Sequence, residues 1–447
     1  MSRSYKYSRF LHLYERDSQM CLYNALTMEA IYTSKQEYDH ARILFSLTKL
    51  VGNNTLLRKM KHHNMIIPDK VNEELYLDKI RNRLFVGPRI RVMVLHMTDF
   101  CNLRCKYCFI EGGQTANYHR QSMSIDTAKA AIDKYFQIIE KHSSQKSPSI
   151  VFYGGEPLLN WDVIKSALSD IRAHEVTSGI NVDKVIITNG TILTDEIIEY
   201  IKEFNILISV SLDGIQNVND ANRVDYQGEG SFLRAVSTIK RLIENGIMPA
   251  VSCVMAEEGI PHVDESIHFL IEELGITGLG FNHVSIIPGF NFYNPVYEEQ
   301  FADAILHVQD IIQQKYPFVY ERRMGHKVNT FIDKLFIKSD CTGCGEQFSV
   351  SPLGEIGICQ GYMGSRKTFS KTVFEEYNPE EDPIFIEWSK RSPLNIEKCL
   401  ACDALATCGG GCPRNADMIN GSIWEPDSAF CHFAKKAQKW LIWRNQS

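Results

Sequence analysis

The sequence of 447 residues lacks several features that would place it in other classes of protein. It contains no run of about 18 apolar residues, so we expect no membrane span. Its formal charge of -6 lacks the basic excess of nucleic-acid-binding surfaces, so we expect no nucleic-acid partner. Residues 1–6 show no apolar signal core, which predicts a cytoplasmic protein. Internal repeats and low-complexity tracts are also missing.

Cysteine, in contrast, is present in large number and is clustered. The chain has 13 cysteines, and in a cytosolic protein this number favours metal binding over disulfides. Cys21 and Cys253 stand alone, and we interpret them as small buried hydrophobic residues. The remaining cysteines form one group of three and one group of eight.

The group of three has the spacing CxxxCxxC and consists of Cys101, Cys105 and Cys108. Three thiolates can hold three irons of a 4Fe–4S cubane and leave the fourth iron without a protein ligand. A zinc or structural site is the alternative for this spacing taken alone. With the aromatic Tyr107 before the third cysteine, the motif resembles the signature of the radical S-adenosylmethionine (SAM) enzymes. The resemblance implies that the open iron binds SAM and that Tyr107 packs near the adenine.

The group of eight lies in the last quarter of the chain and is large enough for two sets of four thiolates. Its spacings, including Cys399-xx-Cys402 and a glycine at 354, resemble the SPASM domain that follows the barrel in many peptide-modifying radical SAM enzymes. The resemblance implies one auxiliary 4Fe–4S cluster on Cys341, Cys344, Cys359 and Cys412, and a second on Cys399, Cys402, Cys408 and Cys431. Two structural zinc sites are the alternative, because four cysteines also suit zinc.

Between the two cysteine groups, short apolar runs alternate with amphipathic segments. We predict strands at 92–97, 150–153, 184–188, 207–212, 250–255 and 278–284, and helices at 125–141, 162–173, 195–204, 232–245, 263–274 and 298–314. Strand–helix units in series predict an α/β fold with parallel pairing. Eight units would close a TIM barrel, whereas six resemble the open, partial (β/α)6 barrel of the radical SAM fold. Functional sites in such sheets lie at the carboxyl ends of the strands.

A pair of glycines directly follows the second predicted strand. Gly154, Gly155 and Glu156 resemble the GGE motif of the radical SAM family. Glycines let the backbone approach a ligand closely. The resemblance implies that this backbone and Glu156 bind the methionine ammonium of SAM.

Polar residues at the next two strand ends are further candidates for SAM binding. They are Thr188, Asn189, Ser211 and Asp213. Their hydroxyl, amide and carboxylate groups suit the ribose and carboxylate of SAM. Arg223 matches an arginine that pairs with the SAM carboxylate in related maturases, and guanidinium geometry favours that contact. Taken singly, Arg223 would be interpreted as a solvated surface charge.

Residues 1–88 precede the barrel and are predicted to form a separate domain. We expect a hairpin from Phe10–Tyr14 and Cys21–Tyr32, a helix capped by Ser34 and Glu37, and two more helices within 56–62 and 73–80. This order resembles the winged-helix peptide-recognition domain (RRE-like) of peptide maturases. The resemblance implies that a leader peptide adds as a strand near Cys21–Tyr32. A small packing extension of the barrel is the alternative.

The domain order is then 1–88 (peptide recognition), 89–315 (radical SAM barrel) and 316–447 (SPASM), with a linker within 316–338. The resemblances imply a maturase that forms a 5′-deoxyadenosyl radical and installs a thioether or carbon–carbon crosslink in a ribosomally made peptide. Its cofactors would be SAM and three 4Fe–4S clusters. Its partners would be a precursor peptide with a leader and an electron donor such as flavodoxin or ferredoxin. The alternatives are an anaerobic sulfatase-maturing enzyme, which forms formylglycine, and an electron-transfer protein, against which the SAM-binding motifs argue.

Overall fold

The computed structural model describes residues 4–114, 118–141, 147–287, 289 and 291–444. The chain divides into two compact units. The first comprises Met1–Val86, Met324–Cys341 and Arg391–Ser447, and the second comprises Gly87–Arg323 and Thr342–Lys390. The three-domain division stays a prediction. In the part of the chain that is described, every helix is too short or too polar to cross a membrane.

The N-terminal part of the first unit combines two small antiparallel sheets with three helices. Its elements are β1 (Tyr5–Tyr7), β2 (Leu11–Arg16), β3 (Gln19–Asn24), β4 (Glu29–Ser34), α1 (Lys35–Thr48), α2 (Thr55–His62), β5 (Ile66–Pro68) and α3 (Glu73–Leu84). Strand β3 lies between β2 and β4, and β1 pairs with β5. The start of α1 is as predicted, because the Ser34 side chain accepts a hydrogen bond from the Glu37 N–H.

The predicted hairpin is present, but the expectation of one strand from Cys21 to Tyr32 is wrong. Two strands, β3 and β4, share this segment. The turn between them follows from Asn24, whose side-chain oxygen accepts hydrogen bonds from the N–H groups of Leu26 and Thr27. Asparagine favours such turns because its side chain can replace a backbone acceptor.

The second unit is built on a ten-stranded sheet. Its strands are β6 (Val92–Thr98), β7 (Ser149–Gly154), β8 (Asp183–Thr188), β9 (Leu207–Ser211), β10 (Ala250–Val254), β11 (Gly278–Asn282), β12 (Tyr320–Glu321), β13 (Gln347–Val350), β14 (Glu355–Gly357) and β15 (Phe369–Thr372). The order is β12-β11-β10-β9-β8-β7-β6-β13-β14-β15. Strands β6 to β11 are parallel neighbours and correspond to the six predicted strands.

Helices connect the parallel strands as predicted. They are α4 (Phe109–Gly112), α5 (Ile125–Ile139), α6 (Trp161–Ser178), α7 (Asp195–Glu203), α8 (Gln216–Asn222), α9 (Phe232–Glu244), α10 (Val263–His268), a π-helical turn at Phe269–Glu273, and α11 (Pro295–Lys315). Two further helices are α12 (Arg322–Ile332) and α13 (Pro383–Ser389). The expected linker within 316–338 is therefore wrong in detail, since α12 occupies much of it.

The C-terminal part of the first unit contains α14 (Leu405–Cys408), α15 (Pro413–Asn420) and α16 (Ser428–Arg444). One hydrophobic core joins it to the N-terminal strands. Phe10 and Tyr23 lie in the same buried cluster as Leu405, Leu441 and Ile442. The N-terminal strands therefore share the core of the first unit, and removing them would expose it.

Candidate functional site

The three cysteines of the CxxxCxxC motif lie in the loop that follows β6. Backbone N–H groups approach two of their sulfurs: Leu103 N is 3.4 Å from Cys101 Sγ, and Glu111 N is 3.4 Å from Cys108 Sγ. Burial raises the pKa of the Cys101 thiol to about 12 and of the Cys105 thiol to about 11. The free thiols are thus neutral, and ionising them calls for a compensating positive charge such as iron.

Backbone hydrogen bonds hold this loop against the segment after α8. Arg104 N donates to Val224 O at 2.7 Å, and Lys106 N donates to Asn222 O at 3.0 Å. The cysteines are therefore positioned by main-chain contacts on both sides of Cys105.

The glycine pair after β7 lies directly against the segment that leads into Cys101. A Cβ at Gly154 would be 2.4 Å from Thr98 O, and a Cβ at Gly155 would be 2.3 Å from Phe100 O. Gly155 N donates to Thr98 O at 2.8 Å. Only glycine permits this approach, so the pair has a packing requirement in addition to its predicted contact with SAM.

Glu156 joins the ends of β7 and β8. Its Oε1 accepts from Leu158 N at 3.1 Å and from Thr188 Oγ1 at 2.8 Å, and its Oε2 accepts from Asn189 N at 2.8 Å. The side chain is fully buried, and burial raises its pKa to about 7. These contacts give Glu156 a positioning role, while its contact with the SAM ammonium stays a prediction.

An amide network connects the end of β8 to the cysteine loop. Asn189 Nδ2 lies 3.7 Å from Cys101 Sγ and 2.9 Å from Asn102 Oδ1. Asn102 in turn donates to Thr191 Oγ1 at 2.8 Å. Asn102 and Thr191 are site residues that the sequence did not single out. Their signal was their position, since each lies within two residues of a predicted ligand.

Asp213 and Arg223 form a buried ion pair. Arg223 Nε is 3.0 Å from Asp213 Oδ2, and its Nη2 is 3.0 Å from Oδ1. The Tyr107 hydroxyl also donates to Asp213, and the Arg223 guanidinium carbon lies 5.4 Å from the centre of the Tyr107 ring. The structure thus brings three predicted SAM-binding residues together as one network. Ser211 ends β9 and is half-buried.

The C-terminal cysteines divide between the two units. Cys399, Cys402, Cys408 and Cys431 all belong to the first unit, and their electrostatic interactions link Cys399 with Cys408 and Cys402, and Cys431 with Cys399. Cys341 and Cys412 belong to the first unit, whereas Cys344 and Cys359 belong to the second. Within the described ranges, no three His, Cys, Asp or Glu side chains converge on one metal-ion position. A cubane differs from a single ion in that each thiolate binds a different iron.

The sequence of this site has known relatives. Residues 95–304 match the Radical SAM superfamily. The chain therefore contains a radical SAM domain. The radical SAM cyclopropyl synthase TigE of Paramaledivibacter caminithermalis is 24% identical over 384 residues, which cover 82% of this chain and 77% of that protein. A cysteine-type anaerobic sulfatase-maturating enzyme of Clostridium novyi is 25% identical over 373 residues, which cover 77% of this chain and 93% of that protein.

Two solved structures confirm the fold. Native anSMEcpe with bound AdoMet has a TM-score of 0.66 at 19% identity, and the match covers 79% of this chain and 97% of that chain. Streptococcus suis SuiB bound to the precursor peptide SuiA has a TM-score of 0.57 at 18% identity, covering 96% of this chain and 99% of that chain. The α/β radical SAM fold predicted from the strand–helix units is therefore confirmed.

Proposed function

We propose that the chain is a radical SAM maturase that installs a thioether or carbon–carbon crosslink in a ribosomally made precursor peptide. The observation that carries the proposal is the N-terminal arrangement of β2, β3 and β4 with three helices, joined in one chain to a radical SAM fold. The structure of SuiB bound to the precursor peptide SuiA covers 96% of this chain. The relation to the Clostridium novyi sulfatase-maturating enzyme covers 77% of this chain and leaves about a quarter of it unmatched.

The residues present fit the cofactors that this function needs. Cys101, Cys105 and Cys108 would hold a 4Fe–4S cluster, and the N–H groups near their sulfurs suit thiolates. Together with SAM, that cluster would supply the 5′-deoxyadenosyl radical that removes a hydrogen atom from the peptide. Asn189 would donate to the Cys101 sulfur, and hydrogen bonds to sulfur tune the potential of such clusters.

Chain groups around the motif would bind SAM. The backbone at Gly154 and Gly155 would contact SAM, as the resemblance to the GGE motif implies, and Glu156 holds Thr188 and Asn189 in place. Arg223 donates a hydrogen bond to Asp213 through Nη2, and its Nε lies 3.0 Å from Asp213 Oδ2 as an ion-pair contact only. A contact with the SAM carboxylate would use Nη1, which has neither of these contacts. The eight C-terminal cysteines would hold two auxiliary clusters.

A leader peptide would bind to an outer edge of the N-terminal sheet. Strand β3, which contains Cys21, is paired on both sides, so it has no edge to offer. Strand β4 is the candidate, because it contains the rest of the predicted segment and pairs with β3 only in the described part of the chain. In an antiparallel pair, the N–H groups of successive residues point alternately toward and away from the partner strand. Lys35 N donates to Ser18 O, on the side of β3. The N–H groups of Ala30 and Tyr32 therefore point away from β3.

Proline at an outward N–H position tests this edge. Ala30→Pro removes a donor that faces away from β3, which edge strands tolerate, and should weaken binding of a fluorescent leader peptide to the full chain at least about tenfold, or about 1.4 kcal/mol. Leu13→Pro is the matched control, since Leu13 lies on the opposite edge, in β2. Equal leader affinity for both variants would rule out addition to β4. Deleting residues 1–88 is not a clean test, because they share the core of the first unit.

The substrate class is tested by mass spectrometry. Reconstituted enzyme, SAM and reduced flavodoxin would be incubated anaerobically with a candidate precursor peptide. Loss of two hydrogen atoms, with fragmentation that localises a crosslink, is the expected result. In parallel, the enzyme would be given a sulfatase-derived peptide. Conversion of its cysteine or serine to formylglycine, without change of the precursor peptide, would establish the sulfatase-maturing alternative, which the similarity to the Clostridium novyi enzyme favours.

A further inference from the structure

A buried lysine lies beside the C-terminal cysteines of the first unit. Lys327, on α12, has only 2% of its surface exposed. Its Nζ donates to Asp340 Oδ1 at 3.1 Å, to Thr407 O at 2.9 Å and to Cys408 O at 3.1 Å. An ammonium has three N–H donors, so each has an acceptor. The position of the charge is therefore fixed.

The neighbours of this ammonium adjoin predicted cluster ligands. One acceptor is the carbonyl of Cys408 itself. Lys327 Nζ also lies 5.2 Å from the centre of the Phe430 ring, and Phe430 directly precedes Cys431. Cys408 and Cys431, two of the four cysteines predicted to hold the second auxiliary cluster, are therefore next to groups that contact Lys327.

The Lys327 charge acts electrostatically on the Cys408 thiol. Burial raises the pKa of Cys408 to about 12, and the Lys327 ammonium opposes that rise. The exposed Lys435 acts in the same sense on Cys399, Cys402 and Cys431. A buried charge is screened much less than a solvated one, so Lys327 should have the larger influence of the two lysines.

We propose that Lys327 is a positioning residue that raises the reduction potential of the auxiliary cluster held by Cys399, Cys402, Cys408 and Cys431. The proposal rests on the proposed function only in that these four thiolates hold a 4Fe–4S cluster. One-electron reduction adds a negative charge to the cluster, and a nearby buried cation stabilises that charge. Net charge, hydrogen bonding and solvent exposure are the terms that set such potentials. The cation stabilises the oxidised cluster less than the reduced cluster, so it shifts the redox equilibrium toward the reduced cluster.

A charge series tests the proposal in the full-length chain. The background carries alanine at the three motif cysteines of 101–108, which leaves the auxiliary clusters as the redox centres. Potentials are read by dithionite titration followed by electron paramagnetic resonance, and the relevant signal is the one that Cys402→Ala removes. Lys327→Met should shift the reduction equilibrium at least about tenfold toward the oxidised state, which is about 59 mV for one electron. Asp340→Asn removes the negative partner of Lys327, so it should shift the equilibrium in the opposite direction.

Two controls separate this role from a purely structural one. Lys435→Met removes an exposed charge near the same thiols, and it should shift the equilibrium much less than Lys327→Met. Lys327→Arg keeps the charge and should restore the potential. Opposite shifts for Lys327→Met and Asp340→Asn support the proposal, because loss of packing alone has no reason to change sign.

Failure of the proposal and failure of the proposed function are distinguishable. If the background protein holds zinc instead of iron at these cysteines, both are overturned. If it holds iron and Lys327→Met leaves the potential unchanged, only the role of Lys327 is overturned. If Lys327→Met does not retain the cluster, Asp340→Asn decides, and an unchanged or lowered potential in that variant overturns the proposal.

Discussion

Replacing Gly155 by alanine should damage the cysteine loop through a backbone contact alone. The new Cβ would lie 2.3 Å from Phe100 O, 2.6 Å from Phe100 C and 3.1 Å from Asp99 O. These are backbone atoms of the segment that leads into Cys101, so no side-chain rotation can relieve the contact. The same interface is held by two hydrogen bonds, Gly155 N to Thr98 O at 2.8 Å and Glu156 N to Phe100 O at 2.9 Å.

The size of the effect follows from these distances. Ordinary contact with a Cβ begins near 3.4 Å, so the two segments must separate by about 1 Å from the 2.3 Å contact. Overpacking of this kind costs about 1–3 kcal/mol, and each weakened hydrogen bond adds about 1 kcal/mol. A displacement of about 1 Å near reacting groups lowers rates by about 100-fold. We therefore expect 5′-deoxyadenosine formation to fall by about that factor.

The assay compares SAM cleavage, iron content and thermal unfolding of the reconstituted variant with those of Gly278→Ala. Gly278 begins β11, at the amino end of the strands, and a Cβ there would approach no atom closer than 3.7 Å. The control should keep full activity. If Gly155→Ala cleaves SAM within about threefold of the unaltered protein, a difference below about 1 kcal/mol, the reasoning from close contact is refuted.

Three further changes test other parts of the site. Alanine at all three cysteines of 101–108 should abolish 5′-deoxyadenosine formation and lower the iron content from about twelve to about eight per chain; continued SAM cleavage would contradict the motif assignment. Asp213→Asn leaves Arg223 buried without its carboxylate and should lower the free energy of unfolding by about 3–5 kcal/mol, measured by anaerobic urea denaturation; unchanged stability would argue against the ion pair. Asn189→Ala removes a hydrogen-bond donor to the Cys101 sulfur and should lower the reduction potential of the cluster on Cys101, Cys105 and Cys108, measured without SAM. An unchanged reduction potential would mean that the Asn189 amide only positions the cysteine loop.

The elements of the barrel could be predicted because their periodicity is local. The strand predicted at 92–97 is observed as Val92–Thr98, and the helix predicted at 195–204 as Asp195–Glu203. Helix α12 was not predicted, because its sequence from Arg322 to Asn329 is mostly polar or charged. That pattern is typical of an exposed segment, and nothing in it marks Lys327 as a buried residue.

The sequence predicted which residues form the candidate site, but it did not predict which of these residues contact one another. Spacing selected the three cysteines, strand ends selected Glu156 and Asp213, and the resemblance to related maturases selected Arg223. Their partners are non-local in the chain, however, and no spacing rule pairs Asp213 with Arg223 or Glu156 with the residues that end β8. Residues interpreted as ligands of SAM therefore also hold one another, and that second role can be determined only from the fold.

These contacts imply that surrounding groups of the barrel position the cysteine loop. The loop is joined to the end of β7 through the glycine pair, to the segment after α8 through Arg104 and Lys106, and to the end of β8 through Asn102. Each of these contacts is formed by backbone, amide or hydroxyl groups of the protein. Because two strand ends and the segment at the end of α8 hold the loop, a change in any one of them should move the thiols relative to the backbone predicted to bind SAM. Residues that are not ligands, such as Gly155, would then affect the chemistry through the position of the loop.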